Sequence, residues 1–105
     1  MQLAPETAAT IRKGLMLRGR NLAELLAQVL AGKQPPQLAA LLAERPGERP
    51  EEVLRRALDQ VEQRRRLLDA GDARFGRCDV CGVELGEAAL IEVPWADRCA
   101  AHATA

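Results

Sequence analysis

Apolar residues recur at helical spacing in two long stretches of the chain. In the first, Ile11, Leu15, Leu22, Leu25, Leu26, Val29 and Leu30 share one face of a helix. Pro5 suits a first helical turn, and Gly32, Pro35 and Pro36 end the pattern, which predicts a helix over about 6–31. Arg18 interrupts the stripe, and Gly14 and Gly19 each weaken a helix by ~1 kcal/mol relative to Ala. Asn21 and Glu24 also spell a capping box, so a break near Gly19–Asn21 is the alternative to the continuous helix preferred here. The second stretch opens at Pro50, and the acidic Glu51 and Glu52 suit a helix N-terminus. Its seam is Leu54, Leu58, Val61, Arg65 and Leu68, at intervals of 4, 3, 4 and 3, the heptad period of a coiled coil. With Gly71 as terminator, this predicts a helix over about 50–71, ~33 Å long. The connection, 32–49, holds a possible short helix at 37–44 and a Pro/Gly turn, Arg45-Pro-Gly-Glu-Arg-Pro.

Two helices of similar length joined in this way predict an antiparallel, coiled-coil-like hairpin over 1–72, followed by a compact module over 73–105. The fold class is mainly α. Composition agrees: the apolar 48% is mostly Ala and Leu, which favour helices over strands. Aromatics are only Phe75 and Trp95, too few to build a stacking platform for single-stranded nucleic acid. Lys plus Arg and Asp plus Glu are 15 each, which excludes a uniformly basic nucleic-acid binder. No stretch approaches the ~18 uncharged apolar residues of a membrane span. Glu6, Arg12 and Lys13 interrupt any apolar core of secretory type before Leu17, so a cytoplasmic protein with no membrane role is expected.

The most informative chemistry lies in 75–102. Cys78-x2-Cys81, 17 residues and Cys99-x2-His102 form two close pairs at the separation of a structural zinc site. Each pair spans one side of a tetrahedron from a tight turn, and the loop between them brings the two sides together. The chain's only histidine falls on the fourth ligand position. Three thiolates and a neutral imidazole suit one zinc ion and leave the loaded site near −1. Four protein ligands close the site, and no nucleophile is paired with a base, so enzymatic activity is not expected. Asp79, inside the first pair, reads as a solvated turn residue. Leu85, Leu90, Ile91 and Val93 supply the module's apolar mass, with Phe75 and the end of the second helix against them. Trp95, after Pro94, is either a lid on that core or an exposed anchor for a partner.

Residues from about 55 to 102 resemble the DksA/TraR family of bacterial transcription regulators. The resemblance rests on a helix (RRALDQVEQRRRLLDAGDARFG) leading into Cys78-x2-Cys81-Gly82, then Leu85, a Leu90-x2-Val93-Pro94 run, and Cys99-x2-His102. It implies a zinc finger of the DksA/TraR type and direct binding to RNA polymerase. In the family a helical hairpin enters the polymerase secondary channel and presents acidic residues at its tip. The family's tip motif, two aspartates three apart followed by alanine, is absent between 32 and 50; the nearest acids are Glu44 and Glu48. The fourth ligand is His, where Cys is commoner.

Charge patterning adds two rival expectations. Residues 53–77 sum to +3, whereas 78–105 sum to −4, with Arg98 against Asp79, Glu84, Glu87, Glu92 and Asp97. The run Arg64, Arg65, Arg66 is a solvated helix face or a contact for an acidic partner or phosphate backbone. The acidic module argues against direct DNA binding by the finger itself. Expected partner-binding residues are therefore Glu44, Glu48, Arg64, Arg65, Arg66 and Trp95. The alternatives to polymerase binding are a zinc-stabilised protein–protein adaptor and a nucleic-acid binder using the arginine face.

Overall fold

The computed structural model describes residues 3–103. Helix α1 spans Pro5–Leu30, α2 Leu38–Glu44, α3 Pro50–Asp69 and α4 Glu87–Glu92. Proline occupies the first turn of α1 and of α3, where its missing N–H is no loss. Both long helices end in the same hydrogen-bonded motif. After α1, Gly32 N–H reaches Val29 O at 3.0 Å and Lys33 N–H reaches Gln28 O at 2.9 Å. After α3, Gly71 N–H reaches Leu68 O at 3.1 Å and Asp72 N–H reaches Leu67 O at 3.0 Å. The left-handed backbone that this motif needs falls on Gly32 and Gly71, with φ of 84° and 65°.

Helix α1 is continuous, so the capping box at Asn21 is not used as a helix start. Of the two glycines within it, only Gly14 is required by close packing. A Cβ on Gly14 would stand 2.5 Å from Pro94 Cγ, and one on Gly19 would stand 3.5 Å from Val61 Cγ1. The helices run antiparallel: Arg12 near the start of α1 pairs with Asp69 at the end of α3 at 2.9 Å, and Gly19 meets Val61 midway. Helix α2 turns back across the connected end and packs on α3, burying Leu38.

One apolar cluster runs through the hairpin and the C-terminal module. It joins Ile11, Leu15 and Leu22 of α1 and Leu38 of α2 to Leu54, Val61 and Leu67 of α3, and then to Phe75 and Leu90. The expected α3 seam is corrected here. Arg65 is exposed and Leu68 half-buried, while Arg64 and Leu67 are buried. A heptad seam assumes one facing helix, but α3 is covered by α1 on one side and by the C-terminal module on the other. The buried arc is displaced by one residue toward the module. Ile91 is likewise 49% exposed and contributes little to the core, whereas Leu90 of the unanticipated α4 is fully buried. Among the described residues no helix is long and apolar enough to cross a membrane.

Candidate metal centre

The Schellman-type end of α3 reverses the chain into Phe75 and Gly76, which are buried. A tight turn follows, closed by a bridge between Arg77 and Glu84. Within it Cys78 N–H donates to Val83 O at 2.9 Å and Gly82 N–H donates to Cys78 O at 2.9 Å. Gly82, with φ of 76°, carries the backbone around the sulfurs. The second pair sits on a turn in which His102 N–H donates to Cys99 O at 3.0 Å. Asp79 N–H donates to Asp97 O at 2.8 Å and so ties the two turns together.

These turns converge the four predicted ligands. The donor atoms of Cys78, Cys81, Cys99 and His102 all lie within 4.8 Å of one another. The Cys81 and Cys99 sulfurs are 3.8 Å apart, and His102 Nδ1 stands 3.7 Å from the Cys78 sulfur and 3.2 Å from that of Cys99. A tetrahedral ion with ~2.3 Å bonds to sulfur and ~2.1 Å to nitrogen would set edges of roughly 3.8 Å (S to S) and 3.6 Å (S to N). The separation of Cys81 and Cys99 is nearly twice the ~2.05 Å of a disulfide, and all three cysteines are free. The four donors lie close enough together to hold a metal ion.

Local hydrogen bonding and burial shift two of the thiols in opposite directions. Burial pushes the Cys78 thiol pKa up, but N–H groups of Cys99, Cys81 and Val80, together with the Cys81 thiol, overcome this and hold it at about 6. Cys81 accepts the Val83 N–H, which lowers its pKa, yet desolvation and the sulfurs of Cys78 and Cys99 carry it above the ordinary thiol range. A cation would relieve this crowding of sulfurs. Cys78 is buried, Cys99 and His102 are half-buried, and Cys81 faces solvent.

The partner-binding candidates separate. Arg64 is corrected: it is 1% exposed, so it presents nothing to an external partner. Its guanidinium lies 3.4 Å from Asp79, which is therefore not merely a solvated turn residue. Arg65 and Arg66 are exposed, and Arg66 pairs with Glu62 at 3.2 Å. Glu48 is half-buried and pairs with Arg56 at 2.7 Å. Glu44 is exposed and lines a groove of about 660 Å³ with Arg18, Leu25, Leu41 and Trp95. Trp95 is half-buried against the core. Its carbonyl accepts Gln60 Nε2 at 3.1 Å, and Arg18 lies 4.2 Å over its ring. The residue that seemed a flaw in the α1 stripe thus faces the module. Desolvation lowers the Arg18 pKa, and the Glu44 carboxylate partly opposes that.

The contact of Asp79 with Arg64 and the Arg18–Trp95 pair are not legible in the sequence. No local signal in the sequence marks either, because each contact joins residues at least 15 positions apart in the chain. No protein-family model, curated protein or solved structure matches the chain.

Proposed function

We propose that Cys78, Cys81, Cys99 and His102 hold one structural zinc ion, and that the protein is a DksA/TraR-like transcription regulator that binds RNA polymerase directly. Three thiols and an imidazole favour zinc over the oxygen-seeking divalent cations. The ion, when bound, cross-links the two turns, and the module's small apolar core depends on that link. The observation that carries the polymerase reading is the joint arrangement of motif and hairpin. The Cys3His group follows α3 in the chain, and its module packs beside the antiparallel helix pair, with Asp79 against Arg64 of α3 and Trp95 against Arg18 of α1. With the resemblance over 55–102, this supports the family's division of labour: a helical end that engages the channel and a metal-bound module that docks outside it.

One observation favours the adaptor reading. Glu48 is held by Arg56, and α2 folds across the connected end, so this end does not offer a slender tip with a free pair of acids. Nucleic-acid binding by the arginine run is weakened, because Arg64 is buried and Arg66 is paired. The deciding experiment is binding of zinc-loaded protein to purified bacterial core RNA polymerase, in competition with a known secondary-channel factor. Competitive binding supports the regulator. Binding without competition places the protein elsewhere on polymerase. No binding at micromolar concentration leaves the adaptor reading in its place.

A further inference from the structure

Arg64 is the only charged side chain among the described residues that is buried. It sits on α3 between the core residues Val61 and Leu67. Taking a guanidinium out of water costs several kcal/mol unless charges and acceptors replace the water. The replacement here is partial. Nη2 reaches Asp79 Oδ1 at 3.4 Å, well beyond the ~2.8 Å of a close charge-assisted bond. Nε and Nη1 have no hydrogen-bond partner.

The position of that one partner gives the burial a use. Asp79 immediately follows Cys78, and its N–H is the bond that joins the first turn to Asp97, two residues before Cys99. A side chain rooted in α3 thus reaches the first Cys turn at the residue whose backbone bond joins it to the second. Loaded with a divalent cation, three thiolates and a neutral imidazole carry a net −1, and a buried guanidinium nearby favours that state.

We infer that Arg64 is a positioning residue of the metal centre: from α3 it holds the Cys78–Cys81 turn through Asp79, and so links metal occupancy to the helical hairpin. This rests on the reading that the four residues bind zinc. Partners outside the ligand set typically change metal affinity by about 10–100-fold when removed. Met has a comparable length without the charge, so Arg64→Met keeps the packing and loses the hold.

The test measures zinc affinity of the full-length protein by competition with a chromophoric chelator, and helix content by circular dichroism after stripping with excess chelator. Arg64→Met should bind zinc at least about tenfold more weakly than the natural protein, and Arg64→Lys should recover part of that loss. Stripped Arg64→Met should keep at least the helix content of the stripped natural protein, because a buried charge has been removed. Asp79→Asn, at a side chain 43% exposed, should show a loss similar to Arg64→Met, and the double variant should bind no more weakly than either single one. Unchanged affinity in Arg64→Met, additive losses in the double variant, or lower helix content in stripped Arg64→Met would each overturn the inference. A natural protein that binds no zinc would remove the metal reading itself, and the inference with it.

Discussion

Two glycines of α1 should respond in opposite directions to the same substitution. Both lie in the helix interior, where Ala is favoured over Gly by ~1 kcal/mol. At Gly19 a new Cβ would meet Val61 Cγ1 at 3.5 Å, an ordinary contact, so Gly19→Ala should stabilise the protein by ~0.5–1 kcal/mol. At Gly14 the new methyl would stand 2.5 Å from Pro94 Cγ and 3.3 Å from Pro94 Cβ. The gap must open by roughly 1 Å to reach the ~3.5 Å of a comfortable carbon contact. Pro94 is buried in a rigid ring, and its neighbour Trp95 is held beneath Arg18, so neither yields freely. Overpacking of this kind costs ~1–3 kcal/mol, which leaves Gly14→Ala destabilised by up to ~2 kcal/mol after the helix gain is subtracted. For a chain of this size, ~1 kcal/mol moves Tm by about 4–8 °C. Thermal unfolding followed by circular dichroism, with zinc in excess, should therefore show Gly19→Ala melting several degrees above the natural protein and Gly14→Ala below it. Equal stabilisation by both would refute the seating of Pro94 on Gly14, and with it the docking of the C-terminal module on α1.

Three other outcomes follow from the packing and charges. Leu90→Ala should cost ~2–5 kcal/mol, since Leu90 is fully buried in the shared cluster, while Ile91→Ala should stay within about ±0.5 kcal/mol; urea unfolding separates them. Arg18→Ala removes the guanidinium over Trp95, worth ~0.5–1 kcal/mol, and should shift Trp95 fluorescence to the red as water reaches the ring; an unchanged emission maximum would contradict the stacking. Asp72 is held at a pKa of about 2 by the Arg74 side chain and backbone N–H. Because this folded value is depressed, its contribution is complete above the unfolded value of ~3.9 and is lost as pH falls toward 2. In Arg74→Ala the carboxyl should titrate closer to its ordinary value by NMR, and a titration unmoved by the substitution would refute that cause.

The sequence announced the elements whose cause is local. Proline at two helix starts, glycine after two helix ends and long apolar stripes placed α1 and α3 within two residues at each end. The candidate metal-binding group is legible because thiols and imidazole carry their chemistry at a fixed spacing, and the turns bring those four donors together. What depends on the arrangement of three bodies was not legible. A heptad seam assumes one facing helix, so composition does not tell Arg64 from Arg65 and Arg66, and its burial appears only once the module packs against α3. Helix α4, six residues long, is too short for its periodicity to register. Gly14 read as a weakness of α1, because Pro94, its reason, lies 80 residues away in the chain.

The division into hairpin and module also changes in meaning. Phe75 and Leu90 belong to the same cluster as Leu15 and Leu54, so loss of the metal should reach the helices through shared packing. The most direct measurement is elemental analysis of the purified natural protein beside Cys78→Ser, with circular dichroism of both. The account predicts one zinc per chain in the natural protein, and a Cys78→Ser variant that loses the zinc, loses order in the C-terminal module and retains only part of the helix signal. Absence of zinc from the natural protein, or equal zinc content in the two, would contradict it.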